Sequence, residues 1–114
     1  MNNSRLYKQE PFLRLLQRSN ASVRKQLLAN ATKEELTTLF EICLNILKGN
    51  IPSSLKRKCL NNKTLKNNKS ILRTLGNKKI PFTQKKAIVQ QGKGIGTIAT
   101  VASLILPLLG KLIK

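Results

Sequence analysis

Eleven basic side chains between residues 49 and 92 carry the clearest chemistry in this chain: Lys56, Arg57, Lys58, Lys63, Lys66, Lys69, Arg73, Lys78, Lys79, Lys85 and Lys86. No Asp or Glu stands among them. Unopposed cations at this density repel one another and disfavour compaction unless a polyanion neutralises them. A phosphate backbone does so, and release of its condensed counterions makes the contact favourable and salt-sensitive. The same stretch holds one aromatic residue, Phe82, and no zinc-finger or RNP-type motif. Neither base stacking nor a sequence-reading element is therefore expected. These residues predict sequence-independent binding of double-stranded DNA. The competing reading is a solvated face that contacts nothing specific, although a surface of that kind normally mixes both signs.

Other chemistry is scarce. The 114 residues include 22 Lys+Arg, 4 Asp+Glu and no His, a net charge of +18. The acids are Glu10, Glu34, Glu35 and Glu41, and Asp is absent. So few carboxylates and no imidazole leave little for proton transfer, for a zinc site or for a carboxylate-bound magnesium centre. Neither an enzyme nor a cofactor is expected. Cys43 and Cys59 are far enough apart to pair, but without CxxC or His they read better as two small buried apolar side chains.

The elements that must position the cations fall into three zones. Residues 1–48 carry eight cations and all four acids, residues 49–92 eleven cations and no acid, and residues 93–114 only Lys93, Lys111 and Lys114. In the first zone, Pro11 followed by Phe12, Leu13, Leu15 and Leu16 predicts a short helix ending near Ser19-Asn20. Ser22 caps a second, with Val23, Leu27 and Leu28 on one side. Thr32-Lys33-Glu34-Glu35 fits a capping box and opens the strongest helix, in which Leu36, Leu39, Phe40, Cys43, Ile46 and Leu47 recur at three- and four-residue spacing. Gly49-Asn50 and Pro52 end it.

In the second zone, Ser53 or Ser54 starts a helix through Leu60, and Asn61-Asn62 and Asn67-Asn68 interrupt continuity. Residues 70–75 read helical up to Gly76-Asn77. Thr83 caps a last short helix over 84–91, with Lys85 and Lys86 outward and Ala87, Ile88 and Val89 inward. No period-two alternation is sustained. The fold class is all-α: a small bundle of four or five short helices in a basic domain, residues 1–92, plus a C-terminal apolar helix, residues 93–114.

From Gly94 to Gly110 there are 17 residues without a charge. On a helix, Ile95, Ile98, Ala102, Ile105, Leu106, Leu109, Leu112 and Ile113 form one broad apolar stripe, with Val101 beside it and Gly96, Thr100, Ser103, Pro107, Gly110 and Lys114 opposite. Such a helix suits a bilayer interface or close packing in lipid. The 21 residues from Gly94 to Lys114 would measure about 31 Å as a helix, close to the roughly 30 Å hydrocarbon core. Pro107 is expected to kink it. The stripe reads as membrane-active, against two alternatives: a helix of the domain core, or a passive tail anchor. Its register resembles the lytic peptide melittin of bee venom through Gly94-Ile95-Gly96, Val101, Leu106-Pro107, Leu109 and Ile113-Lys114. Melittin's terminal basic cluster and tryptophan have no counterpart, and the likeness reads as shared physics rather than ancestry.

The order of basic body, Gln-Gln-Gly-Lys-Gly and an apolar tail with Leu-Pro-Leu-Leu resembles the small basic core proteins of adenovirus-related viruses and of Polinton or adintovirus elements. It is similar, more distantly, to the adenovirus core peptide mu and its precursor. The stretches that carry the resemblance are residues 41–52, Arg73-Thr74-Leu75 and residues 85–92. What it implies is a virion component that packs with viral DNA, has capsid proteins as neighbours, and acts on a membrane at entry. The chain is richer in Lys and Asn than that group, so phosphate would be held by point charges more than by bidentate Arg forks. Adenoviral-type maturation proteases favour Gly at the second position before the cut and Gly just after it. Gly92-Lys93-Gly94 fits, and Gln90 departs from the usual aliphatic residue upstream. Cleavage after Lys93 would free a peptide beginning Gly-Ile-Gly.

The opening run Met1-Asn2-Asn3-Ser4-Arg5 lacks the apolar core of a secretory signal. The expected location is the virion, with the host nucleus or cytoplasm during assembly. The leading functional expectation is a virion protein that binds DNA through its body and perturbs membranes through its tail. The alternatives are a purely membrane-lytic effector, and a nucleic-acid architectural protein whose tail completes the core or an oligomer interface.

Overall fold

A computed structural model describes the backbone of residues 3–92 and 94–112 and the side chains of 4–92 and 94–107. Lys93 and Ile113, and the side chains of Leu109 and Leu112, lie outside the described residues. Among these residues there are nine helices and no strand, so the fold is all-α.

The helix read most clearly from sequence is α4, Lys33–Lys48. (The three before it are α1, Asn3–Lys8, α2, Glu10–Arg18, and α3, Ala21–Ala29.) At its start the Glu35 backbone N–H donates to the Thr32 hydroxyl at 3.1 Å, and the Thr32 N–H donates to the Glu35 carboxylate at 2.8 Å. Two of the helix's unmatched donors are thereby satisfied reciprocally. At its end Gly49 turns left-handed at φ 72°, while the Asn50 N–H reaches back to the Asn45 carbonyl at 2.9 Å and the Gly49 N–H to Ile46 at 3.2 Å. A side chain at Gly49 would be strained at that angle. Between these ends Leu36, Leu39, Phe40, Ile42 and Cys43 are buried. Ile46 is half-buried and Leu47 exposed, because the last turn runs past the core to the edge of a cleft.

On the N-terminal side, α2 buries Phe12, Leu13 and Leu16. Asn20, not Ser22, caps α3, its side chain accepting from the Val23 N–H at 2.9 Å. The helix therefore starts two residues earlier than the sequence predicts. Only Leu28 is buried, with Leu27 half-buried and Val23 exposed.

The basic stretch folds as α5, Ser53–Asn61, α6, Lys63–Asn67, and α7, Lys69–Leu75. The interruptions fall at the asparagines. Asn62 ends α5 and starts α6, its side chain accepting from the Leu65 N–H at 3.1 Å, and Asn68 separates α6 from α7. No side-chain cap bond opens α5, which follows Pro52 directly. Gly76 ends α7 and also lets it approach α4. A Cβ there would lie 2.9 Å from the Leu44 nitrogen and 3.0 Å from the Leu44 Cα. The next helix, α8, runs Phe82–Gln90 after Pro81, again without a side-chain cap.

The C-terminal helix α9, Ile95–Leu112, continues through Pro107. It packs most extensively against α2 and also touches α1, α3, α4, α5 and α6. Ile98, Val101, Ala102, Ile105 and Leu106 are buried in one hydrophobic cluster with Leu6, Leu13, Leu28, Leu36 and Leu65 from the rest of the chain. The tail is thus separated from the body along the chain by the turn at Gly92, but its residues from Ile98 to Leu106 share the body's core. Removing each large aliphatic side chain from water contributes roughly 1.5–3 kcal/mol, which makes α9 a central stabilising element. The stripe foreseen opposite it faces out, with Gly96 and Pro107 exposed and Thr100 and Ser103 half-buried. Among the described residues no helix is long and apolar enough to cross a membrane. The radius of gyration is 12.9 Å, close to about 13 Å for a packed domain of about 100 residues.

The helix count exceeds the four or five plus a tail expected from sequence. The excess comes from α1, whose six residues carry little periodicity, and from the asparagine-marked splitting of the basic stretch.

Candidate nucleic-acid interface

The eleven cations sit on α5, α6, α7, the connector after Gly76, and α8. Nine of them are exposed: Lys56, Arg57, Lys58, Lys63, Lys66, Lys69, Arg73, Lys78 and Lys79. Lys86 is half-buried. Their helices explain the outward direction, because each turns most of its few apolar residues inward, Leu60 of α5 excepted. Leu55 and Cys59 of α5, Leu65 of α6, and Leu72 and Leu75 of α7 are buried, leaving the remaining faces to lysine and arginine.

Lys85 departs from the expectation of an exposed DNA contact. It is 8% exposed, although the sequence pattern places it outward. The helix begins at Phe82, so Phe82, Lys85 and Val89 follow one another at three- and four-residue spacing and share the inward row. Ala87, expected inward, is exposed. The Lys85 ammonium lies 5.0 Å from the centre of the Phe40 ring and donates to the Asn77 carbonyl at 3.2 Å. Phe40 in turn meets Phe82 edge-on at 5.8 Å, and Lys33 stands 5.7 Å from the Phe82 ring centre. Burial holds the Lys85 pKa below the ordinary lysine value, since the charged form is stripped of water. Lys85 is a structural cation.

The structure brings Lys56, Lys66, Lys69 and Arg73 around a single cleft of about 500 Å³ between the end of α4 and α5–α7. It adds Lys48, which the sequence reading leaves with the first zone. The signal that would have found it is its place in the last turn of α4, where the Gly49 turn folds the chain back toward Lys56. A Cβ on Gly49 would lie 3.0 Å from the Lys56 Nζ. The cleft floor is aliphatic, with Ile46, Leu47, Ile51, Leu60, Leu65 and Leu72, and no carboxylate lines it. Arg57, Lys58 and Lys63 are exposed on the same helices but do not line the cleft. Lys78 and Lys85 belong to a second cleft of about 320 Å³ that also holds Lys33 and Glu41.

The acids are all engaged elsewhere. Glu10 pairs with Arg14 at 2.5 Å, Glu34 with Lys8 at 3.3 Å and Glu41 with Arg5, while Glu35 completes the α4 cap. The cations of α5–α7 therefore meet no carboxylate of the chain's own Asp or Glu side chains. Cys43 and Cys59 are free and buried. Burial pushes the Cys43 thiol up to about 12 against the pull of Lys85, and raises Cys59 as well. Neither is poised as a thiolate.

Of the tail residues expected to act on membranes, Ile98, Val101, Ala102, Ile105 and Leu106 are buried, Ile95 is half-buried and Pro107 is exposed. Gly92 and Gly94 are half-buried. No protein-family model, curated protein or solved structure matches this chain.

Proposed function

We propose that this protein binds double-stranded DNA without sequence preference, through the cations of α5–α7 and the connector that follows. The observation that carries the reading is the placement of nine cations in solvent while every glutamate is committed to another partner: Glu10 to Arg14, Glu34 to Lys8, Glu41 to Arg5 and Glu35 to the α4 cap. Lysine-rich helices of this kind would hold phosphates as point charges and gather counterion-release energy without reading bases. The adenovirus-type resemblance in residues 41–52, 73–75 and 85–92 supplies a setting, a virion component packed with viral DNA. In that role α9 completes the core of a nucleic-acid architectural protein.

The test is fluorescence anisotropy of the full chain with two unrelated duplexes over a salt series. Neutralisation of about five phosphates predicts that log K falls with log salt at a slope of about −4.5, alike for both duplexes. Replacing Lys56, Arg57, Lys63, Lys66 and Arg73 by Gln should weaken both equally and flatten the slope. Affinity that is salt-insensitive, or unchanged in that variant, overturns the reading.

Membrane action requires α9 to leave the core, because Ile98, Val101, Ala102, Ile105 and Leu106 are buried in the folded chain. Cleavage at the Gly92-Lys93-Gly94 turn is the route the sequence suggests. Dye leakage from anionic vesicles by the 94–114 peptide, but not by the full chain, would support this second activity. Leakage from neither would remove it.

A further inference from the structure

The cleft between the end of α4 and α5–α7 has a feature that phosphate binding does not use. Its cations rim an aliphatic floor on which Leu60 is 63% exposed and Leu47 39% exposed. We propose that this cleft docks an acidic amphipathic helix from a partner protein, with apolar anchors on the floor and carboxylates against Lys48, Lys56, Lys66, Lys69 and Arg73.

The lining decides among occupants. It contains no aromatic ring to stack a base and no amide or hydroxyl side chain to read one, so a nucleic acid would gain from the rim and nothing from the leucines. A second copy of this chain brings a net charge of +18 and four glutamates already in ion pairs or a helix cap. It could not neutralise five cations. A flat bilayer would meet the rim, but Leu65 and Leu72, each 3% exposed, lie at the bottom of a concavity. A helix with apolar residues at three- and four-residue spacing and acids beside them matches both parts. Because Lys56, Lys66 and Arg73 serve both ligands, such a helix would compete with DNA.

The probe is a synthetic peptide of about 18 residues, or five helical turns, with Leu along one face and Glu elsewhere. Its control has the same composition with the leucines scattered. Fluorescence anisotropy with the full chain should show the ordered peptide binding at least about tenfold tighter than the scattered one, as burial of a leucine anchor implies. Leu60→Ser, at an exposed position, should weaken the ordered peptide about tenfold and leave duplex DNA affinity unchanged. The ordered peptide should also displace a labelled duplex. Equal binding of the two peptides, or indifference to Leu60→Ser, overturns the proposal. So does binding of anionic vesicles that depends on Leu60 when peptide binding does not, which would assign the leucines to lipid. Loss of DNA binding with peptide binding retained would instead overturn the nucleic-acid reading and leave the cleft standing.

Discussion

Helix α4 and the run α5–α7 pack side by side, yet they are held by different means. In α4 the local signals suffice: a reciprocal cap at Thr32 and Glu35, a left-handed glycine at its end and a continuous apolar stripe. In α5–α7 each helix is seven to nine residues or shorter, offers one or two buried side chains, and has no acid to oppose its lysines. Isolated helices of that length are marginal in water. What holds them is tertiary: α5 and α6 lean on α9, and α7 leans on α4 through Gly76. A strongly charged surface can be displayed on short helices if a neighbour supplies the apolar partner.

This contrast can be broken first at α9. Ile105 is 1% exposed, and Ile105→Ala should cost about 2–5 kcal/mol. A thermal melt followed by circular dichroism should show the whole domain losing stability, with the basic helices lost along with α2. Retained cooperative unfolding at the wild-type midpoint would show that α9 is dispensable to the core. The next effect is at the α4–α7 contact. Gly76→Ala places a methyl against backbone of Leu44 and should cost about 1–3 kcal/mol, whereas a glycine serving only as a helix stop would tolerate alanine.

Alkaline pH separates the buried thiol from the buried lysine. Cys43 keeps its proton in the folded state up to about 12 but ionises near 9.0 when unfolded. The unfolded chain therefore loses that proton first, and stability falls as pH rises above 9.0. Lys85 works in the opposite direction, because its folded pKa lies below the unfolded 10.5 and its burial cost is relieved as pH rises through that window. Urea unfolding of Cys43→Ala from about pH 8 to about pH 10.5 should show a shallower decline than wild type, by roughly 1 kcal/mol per pH unit above the thiol's unfolded pKa. Identical pH profiles would refute an inward thiol.

Helix starts give a finer comparison. Thr32→Ala should cost about 1 kcal/mol, while Ser53→Ala and Thr83→Ala, whose side chains make no cap bond, should change stability by a few tenths at most. Last, Lys85→Met should leave duplex DNA affinity unchanged within error, since the ammonium faces Phe40 and Asn77 rather than solvent.

Much of α4 was legible because its determinants are local: a cap, a period and a glycine lie within eighteen consecutive residues, Thr32 to Gly49. Asn62 and Asn68 likewise marked the breaks in the basic stretch. Ser53 starts α5 as the sequence suggests, whereas Ser22 and Thr83 misled as caps because a hydroxyl near a helix start is permissive rather than decisive. Asn20 competes better at one site, and at the other Pro81, with φ −58°, is the residue before the helix. For the candidate interface, composition identified the cations but not that Lys48 lines the same cleft as Lys56, a placement set by the turn at Gly49.

Taken alone, the amino-acid sequence determined the helical class, the bounds of α4, the segregation of charge and the apolar face of α9, all of which depend on residue type and short-range spacing. Tertiary structure alone decided that this apolar face lies in the domain core against α2, that Lys85 turns inward while its neighbours face water, and that five cations ring an aliphatic cleft. The physical reason is that hydrophobic burial is non-directional: a stripe of isoleucine and leucine specifies that it must leave water, and only the packing of the whole chain specifies where it goes.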